Sequence, residues 1–268
     1  MAQPSQSVIP IIAARGDAIR IVPLYVAESA GTPTVDAAKA APPVAPHLTY
    51  RNGPLLTAVE VFTIFWGAAW QQPSNAALLA HVNQFFDFIL TSPLLDQLAE
   101  YSVSGRPIGH GRHMGTLSIT TPALGTSLTD SALQHMLQGL VSTHAGVPRP
   151  SPNTLYFVYL PPGVKLIQGG SASCQAFCGY HSDIAGQVFY AAMPYPGCSG
   201  CSGGLSPADA LTSTSSHELC EAITDPIPGR GWYDDHNGEI GDICAWKTKK
   251  VGAYTVQLEW SNKAKKCI

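Results

Sequence analysis

The sequence carries little charge and no long apolar run. Charged residues make up 12% of the 268 positions, and the formal net charge is −3. A chain without a strongly basic surface has little electrostatic means of gathering nucleic acid or anionic lipid, so neither is expected as a partner. No stretch approaches the roughly 18 to 20 uninterrupted apolar residues that a membrane helix requires. Hydrophobic residues reach 45%, which is enough for a folded core.

Cysteine is absent before position 174, and all seven cysteines lie between positions 174 and 267. Four of them form two short spacings among Gly, Ser and Pro residues, Cys174-x3-Cys178 and Cys198-x2-Cys201, which could supply four thiolates to a structural zinc ion. The low charge and loop-rich composition instead favour disulfides formed in an oxidising compartment. An odd count leaves one thiol over, for which Cys220 on a predicted helix is the candidate. The disulfide candidates are Cys174, Cys178, Cys198, Cys201, Cys244 and Cys267.

The chain start, Met1 to Gln6, lacks a positive end followed by an apolar core, so no signal peptide is visible in this numbering. We expect a secreted protein whose signal was removed before the numbering begins. Residues 1–47 are predicted to be a peripheral segment. It would contain an edge strand within Ala18–Val26 and an extended Ala/Pro-rich linker over Ala37–Pro46.

Residues 48–268 are predicted to form one α+β domain with a mixed sheet and a disulfide-rich carboxyl-terminal half. Helices are expected over Asn75–Leu90 with Ser74 as cap, from Pro93 through Leu98, and from a cap at Thr129 or Asp130 to near Gly146. Strands are expected over Leu55–Trp66, Thr154–Leu160, Gln187–Met193 and Tyr254–Trp260.

The segment from Ser215 to Pro226 carries the strongest chemical signal. At helical spacing His217 and Glu221 share a face with Glu218 adjoining, and Pro226 ends the helix. The spacing resembles the zinc-peptidase motif His-Glu-x-x-His, with Glu221 in place of the second histidine. His217 and Glu221 would bind the metal, and Glu218 would be the catalytic base. Zinc is the expected ion, although carboxylate ligands also suit manganese or calcium. The alternative is a solvated helix face.

A second cluster of oxygen donors follows in the glycine-punctuated loop Gly231–Cys244, the acidic loop. Glu239 lies eighteen residues beyond Glu221, close to the spacing of the third ligand in gluzincin peptidases, and is predicted to be that ligand. Asp242, Asp225 and His181 are alternative ligands, and Asp242 could instead orient a ligand. Otherwise His181, like His110 and His113, is interpreted as an ordinary surface or hydrogen-bonded histidine.

The same loop has an alternative interpretation as a structural calcium site. Asp235, Asn237 and Glu239 alternate along the chain as calcium ligands often do, with Asp234 beside them and Gly238 permitting a tight turn. The glycine and the terminal Glu do not match an EF-hand loop. A zinc site on the helix and a calcium site in the loop are compatible with each other.

Several segments together resemble a known family. They are Leu160-Pro-Pro-Gly-Val164, Cys174-x3-Cys178-Gly-Tyr-His181, Tyr190-x3-Pro194-Tyr-Pro-x-Cys198, and Ser216-His-Glu-Leu-x-Glu221 followed by Thr224-Asp-Pro226. From about Tyr50 to Cys267 the chain is similar to bacterial relatives of the phosphate-induced, or EXORDIUM-like, extracellular proteins. The resemblance implies secretion and disulfides. Plant members are associated with the cell wall, and the family has no well-established enzymatic activity.

The order of strand Gln187–Met193, loop and motif helix also looks like the core of zincin peptidases, in which a strand above the helix binds substrate backbone as an added strand. The leading hypothesis is therefore a secreted zinc metallopeptidase with a zincin-like domain, acting on a peptide or cell-wall substrate. The alternative is a non-catalytic extracellular protein that binds cell-wall carbohydrate or a partner. Its sugar-stacking candidates are Trp232, Tyr233, Trp246 and Trp260. A glycosidase ranks third, because nothing selects a pair of carboxylates.

Overall fold

The computed structural model describes residues 21–26 and 44–268. In chain order the strands are β1 (Ile21–Pro23), β2 (Thr49–Tyr50), β3 (Glu60–Trp66), β4 (Arg112–Ile119), β5 (Ser127–Thr129), β6 (Thr154–Tyr159), β7 (Lys165–Gln168), β8 (Ser171–Ala172), β9 (Phe177–Ile184), β10 (Val188–Met193), β11 (Trp232–Tyr233), β12 (Thr248–Val251), β13 (Tyr254–Gln257), β14 (Trp260–Ser261) and β15 (Lys266–Cys267). The α-helices are α1 (Pro73–Ile89), α2 (Pro93–Gln97), α3 (Asp130–Thr143), α4 (Ser199–Ser202) and α5 (Pro207–Thr224).

A six-stranded mixed sheet in the order β1-β9-β10-β6-β3-β4 organises the fold. Strands β10, β6, β3 and β4 run parallel, whereas β9 is antiparallel to both of its neighbours. Helices α1 and α5 cover one face, where Phe65 and Phe157 enter the larger core. Helix α3 covers the other, where Ile64 and Tyr156 pack against Leu137. Covering both faces explains why the central strands are apolar almost throughout. The mixed α+β class predicted from the sequence is confirmed.

Two predicted strands are shorter in the structure, because their backbone finds other partners. Residues 55–59 lie outside β3, and the Leu56 N–H donates instead to the Ile223 carbonyl at the end of α5 (3.0 Å). Strand β13 stops at Gln257, after which the Leu258 N–H donates to the Lys247 carbonyl beyond the β12–β13 hairpin (2.7 Å). Each of these partners is distant in sequence, so neither boundary is visible in local patterning.

Strand β10 matches the predicted Gln187–Met193 to within one residue, but it lies inside the sheet. It is hydrogen-bonded to β9 on one side and to β6 on the other. A strand with two neighbours has no free edge, so the expectation that this strand receives a substrate as an added strand is wrong.

The predicted helices are present with shifted ends. Helix α1 begins at Pro73 after an N-cap at Gln72, so Ser74 is not its cap. The Thr129 hydroxyl does cap α3 by accepting from the Ala132 N–H, as predicted, and α3 ends at Thr143 rather than near Gly146. Proline preorganises the first helical position, which fixes the start of α1 two residues earlier than a cap at Ser74 predicts.

The amino-terminal segment contributes directly to the sheet. Strand β1 pairs antiparallel with β9, placing Ile21 opposite Tyr180 and Val22 opposite Gly179, and Val22 is buried. The predicted edge strand within Ala18–Val26 is therefore present over residues 21–23, so this part of the 1–47 segment belongs to the domain's sheet. Most of the predicted linker, residues 37–43, lies outside the described residues.

Three disulfides join the six predicted cysteines as Cys174–Cys198, Cys178–Cys201 and Cys244–Cys267. The first two tie the start of β9 to the segment around α4, and the third ties the chain end to the loop after β11. Cys220 is the free thiol, as predicted, and it is buried. Since the clustered sulfurs are bonded in pairs, they are not available as thiolate ligands for a structural zinc ion. Over residues 21–26 and 44–268, no helix has the length and apolarity needed to cross a membrane.

Helix α5 lies between the sheet and the β12–β13 hairpin. The Ser206 hydroxyl caps its start by accepting from the Asp209 N–H (3.1 Å), and it ends one residue before the Asp225-Pro226 pair. Small side chains let it approach β9 closely: a Cβ on Gly179 would stand 2.9 Å from the Thr214 methyl group. This close packing brings the charged positions of the helix against the sheet.

Candidate functional site

The His-Glu-x-x-Glu segment lies in the middle of α5 and is completely buried. His217, Glu218 and Glu221 each have 0% exposure, because β9 and β10 cover one side of the helix and β13 and the acidic loop cover the other. His217 Nε2 and Glu221 Oε1 are 3.0 Å apart, as the predicted four-residue spacing requires. Because all three side chains are buried, the alternative of a solvated helix face is wrong.

His181 of β9 lies at the centre of these groups. Its Nδ1 is 3.3 Å from Glu218 Oε2 and 3.5 Å from Glu221 Oε2. Its Nε2 is 3.1 Å from the Asp225 carbonyl oxygen and 3.5 Å from Glu239 Oε1. His181 is a buried, hydrogen-bonded histidine rather than a surface one, and its position is compatible with the prediction that it is an alternative ligand. His110 and His113, in contrast, pair with the exposed carboxylates of Asp96 and Asp87, away from this cluster (2.8 Å each).

The acidic loop lies against the helix through its backbone. The Asp242 N–H donates to Glu221 Oε1 (3.0 Å), and the Glu239 N–H donates to Asp242 Oδ2 (3.0 Å). Gly241 makes this approach possible, because a Cβ there would stand 2.7 Å from His217 Nδ1 and 2.9 Å from Glu221 Oε1. Glu239, predicted as the third ligand, is fully buried beside His181.

Within this cluster, two groups of side chains have ligand atoms that all lie within 4.8 Å of one another, and both contain Glu221. One comprises His181, Glu221 and Glu239, and the other comprises His217, Glu221 and Asp242. The predicted ligand set of His217, Glu221 and Glu239 is thus divided between the two groups. Asp225 is in neither, since its carboxylate accepts from the backbone N–H groups of residues 229–231.

Several of these buried polar atoms have no hydrogen-bond partner. They are His217 Nε2, Glu218 Oε1, Glu221 Oε2 and both carboxylate oxygens of Glu239. An unpaired buried carboxylate oxygen forfeits its hydration without compensation, at a cost of about 1–3 kcal/mol or more. A cation among these atoms would remove that cost. The cluster therefore offers both the donor types and the unpaired atoms that a metal ion could use.

Burial and mutual repulsion perturb the pKa of every carboxyl group in the cluster. Burial, reinforced by the charges of Glu221 and Asp225, raises the pKa of Glu239 well above its usual value. Burial also raises the pKa of Glu218. Glu221 is the exception: burial opposes its ionisation, but His217 and His181 outweigh it and lower the pKa of Glu221 to about 2. Glu221 is thus the carboxylate that is ionised most readily.

The histidines respond in the opposite direction. Burial disfavours the charged imidazole, yet hydrogen bonds to Glu218 and Glu221 raise the pKa of His181 to about 10. The pKa of His217 is raised well above its usual value, since Glu221 and Glu218 outweigh burial. The direction of both shifts shows that the carboxylates favour positive charge at this site, which a divalent cation would supply.

The predicted calcium ligands do not converge. Both Asp234 oxygens accept backbone N–H groups, from His47 on one side and from His236 and Asn237 on the other. Asp235 is directed outward to Arg51 (2.5 Å), and the Asn237 amide donates to Asp234 (3.1 Å). These contacts build a hydrogen-bonded turn, so calcium binding here stays a prediction without a preformed ligand cage.

The proposed sugar-stacking rings are engaged in packing. Trp232 lies against Tyr50 and Tyr101, with centroids 5.5 and 5.2 Å away. Trp246 packs edge-on against Tyr25 and donates its indole N–H to the Pro23 carbonyl. These contacts favour the core-packing interpretation of both residues.

Sequence reasoning missed Gln257 of β13, which is fully enclosed beside the site. Its Nε2 is 2.7 Å from His217 Nδ1 and donates to the Gly241 carbonyl (2.9 Å). The alternation of the predicted strand gave no signal, because it places Gln257 on the polar face with Thr255, opposite Val256. Its partner on α5 is 40 residues away in sequence, and only the tertiary packing reveals it.

Comparisons with known proteins leave the chain without an assigned family. No family model matches the sequence, and no curated protein matches it. One solved structure with some similarity is described as "Structure of a chaperone-substrate complex", at 15% sequence identity and a TM-score of 0.31. The match covers 72% of this chain and 30% of that chain, so this chain spans less than a third of that one. A similarity of this degree carries no argument about function.

Proposed function

We propose that this chain is an extracellular metal-dependent hydrolase that is zincin-like in its use of a His-Glu-x-x-Glu helix. The chain would bind one zinc ion between α5, β9 and the acidic loop. The observation that carries the proposal is the convergence of two imidazoles and four carboxylates in a buried space where five side-chain atoms have no hydrogen-bond partner. Three disulfides support maturation in an oxidising compartment. Membership of the EXORDIUM-like proteins is part of the proposal and rests on the sequence segments given above.

Zinc would be held by Glu221 with a histidine and a further acid, and would supply Lewis-acid polarisation of a carbonyl group and a water of lowered pKa. Glu218 is the proposed base. Its Oε2 faces His181 while its Oε1 is unpaired, so one oxygen is fixed and the other is available to take a proton from water. The raised pKa of Glu218 suits a group that must accept a proton and return it to a leaving amine.

A second candidate function is favoured by the burial of the site. Glu218 has 0% exposure, and the Gly241 backbone lies over His217 and Glu221. Two cavities of about 720 and 650 Å³ lie elsewhere and are lined by none of these residues. A site that stays closed would hold its ion only to brace the fold. The chain would then be a non-catalytic extracellular protein that binds cell-wall carbohydrate or a protein partner.

The Glu218→Gln variant separates the two functions. We expect it to keep one zinc ion per chain, because Glu218 lies in neither ligand group, and to lose about 100-fold or more of the rate on a peptide library read by mass spectrometry. Glu259→Gln is the matched control, since Glu259 is equally buried with both oxygens unpaired and lies outside both groups.

A Glu218→Gln variant with full activity would contradict the role of Glu218. If the zinc-loaded wild type cleaves no peptide but binds a glycan array, and if Glu218→Gln binds that array equally well, the non-catalytic function is the correct one.

A further inference from the structure

We infer that His181, with Glu221 and Glu239, ligates the ion, and that His217 of the His-Glu-x-x-Glu segment is a positioning residue. The inference rests on the proposed function in one respect, namely that a divalent ion occupies the cluster. It departs from the zinc-peptidase pattern, in which the first histidine of the helix is itself a ligand. The hydrogen bonds around the two imidazoles distinguish them.

The Gln257 amide determines which ring nitrogen of His217 carries a proton. Its Nε2 donates to the Gly241 carbonyl (2.9 Å), and its Oε1 accepts from the Trp246 N–H (3.3 Å). A carbonyl oxygen only accepts and a backbone N–H only donates, so the amide cannot be reversed without two mismatched contacts. The same Nε2 is 2.7 Å from His217 Nδ1, which must therefore accept a hydrogen bond.

This acceptor role removes both nitrogens of His217 from metal binding. Its Nδ1 lone pair is engaged by Gln257, and in the neutral ring the proton must then be on Nε2. That nitrogen lies 3.0 Å from Glu221 Oε1, a close polar contact without the geometry of a hydrogen bond. The Asp242 N–H donates to the same oxygen, so Oε1 has a polar neighbour on either side. The other oxygen, Oε2, has no hydrogen-bond partner and is directed toward His181.

His181 has the opposite arrangement. Its Nε2 is 3.1 Å from the Asp225 carbonyl oxygen, which only accepts, so Nε2 carries the proton of the neutral ring. Its Nδ1 lone pair then faces Glu218 Oε2 and Glu221 Oε2 at 3.3 and 3.5 Å. In the neutral ring this lone pair and the two carboxylates would repel one another, and a cation bound at Nδ1 would remove that repulsion. A proton on Nδ1, shared with Glu218 Oε2, has the same effect when no ion is bound. A backbone carbonyl that fixes the far nitrogen is also the usual support of a metal-bound histidine.

The ligand set is completed by the acidic loop. Glu239 is fully buried, both of its oxygens are unpaired, and it forms with His181 and Glu221 a group whose ligand atoms lie within 4.8 Å of one another. Its Oε1 is 3.5 Å from His181 Nε2, so this carboxylate would turn toward Nδ1 to reach an ion bound there. One imidazole and two carboxylates from three separate elements would hold the ion, a donor set known from zinc sites. His217 would act through Glu221 by fixing which oxygen of that carboxylate faces the ion.

The direct test is ¹⁵N-histidine NMR of the full chain loaded with ¹¹³Cd as the probe. One histidine should show one-bond cadmium–nitrogen coupling, and that coupling should persist in His217→Gln. The chelator-competed zinc affinity should fall about 10- to 100-fold in His217→Ala, as for loss of a group that orients a ligand, and largely recover in His217→Gln, whose amide can still donate to Glu221. His181→Gln should lose the coupling.

If His181→Gln does not fold, the wild-type spectrum still decides, because the His217 signals are identified by their disappearance in His217→Gln. Cadmium coupled to His217 would overturn this inference alone and leave the proposed function in place. If the wild type takes up neither cadmium nor zinc, both the inference and the proposed function are wrong.

Discussion

The Gly241→Ala substitution tests how closely the acidic loop must approach α5. Gly241 is buried and has φ −80° and ψ −39°, a conformation that alanine also adopts readily. Backbone strain therefore does not enter, and only space decides the effect. The added Cβ would stand 2.7 Å from His217 Nδ1 and 2.9 Å from Glu221 Oε1, distances at which one of the groups must move.

The size of the effect follows from two opposing contributions. Overpacking of a well-packed interior costs about 1–3 kcal/mol. The loss of glycine's freedom in the unfolded chain returns about 0.4–1 kcal/mol. We expect Gly241→Ala to lower the free energy of unfolding by about 1–2 kcal/mol. Because Glu239 and Asp242 must move with the loop, we also expect weaker zinc binding.

Gly139→Ala is the matched control. Gly139 is an exposed position of α3, and a Cβ there would meet nothing within 4 Å. The same substitution should stabilise the protein by about 0.5–1 kcal/mol, because alanine is the better helix former. Urea unfolding of both variants gives the comparison. The reasoning is refuted if Gly241→Ala matches Gly139→Ala in stability and matches the wild type in zinc affinity.

Two further predictions concern parts of the fold that support the site. Hydrogen bonds from Thr255 and Lys250 lower the pKa of Asp209 to about 2, so its stabilising contribution is complete above pH 4 and disappears as the pH falls through 2. After allowance for the partial exposure of Asp209, Asp209→Asn should lower the free energy of unfolding in urea by about 1 kcal/mol at pH 7 and by almost nothing at pH 2. An equal loss at both pH values would contradict this linkage. Replacing Cys244 and Cys267 together by serine opens a loop with a sequence separation of 23 and should lower the free energy of unfolding by about 3 kcal/mol. Urea unfolding against the oxidised wild type measures the loss, and an unchanged midpoint would show that this disulfide does not support the acidic loop.

Local features of the fold were predictable where local chemistry decides them. The cap of α3 at Thr129, the end of α5 before Pro226 and the free thiol at Cys220 all follow from short-range patterns. The pairing of the six other cysteines does not follow from such patterns, since it depends on which segments meet in the fold, as β9 and α4 do for two of the disulfides. The start of β3 was misplaced because Leu56 finds its backbone partner at the end of α5.

The candidate site divides in the same way. The helical spacing of His217 and Glu221 was readable from the sequence, but the side of the helix that they face was not. A charged helix face is exposed only if no other element covers it, and in this fold β9 and the acidic loop cover it. His181 lies 37 residues before Glu218 and Gln257 lies 40 residues after His217, so neither contact leaves a local signature.

The central claim is that the buried cluster around Glu221 binds a divalent metal ion. Its most direct test is the metal content of the full chain, purified without chelator or metal-affinity resin and measured by inductively coupled plasma mass spectrometry. The account predicts about one zinc ion per chain, and a marked loss of it in Glu221→Gln. A chain that holds no divalent metal, even after zinc is supplied at neutral pH, would contradict it.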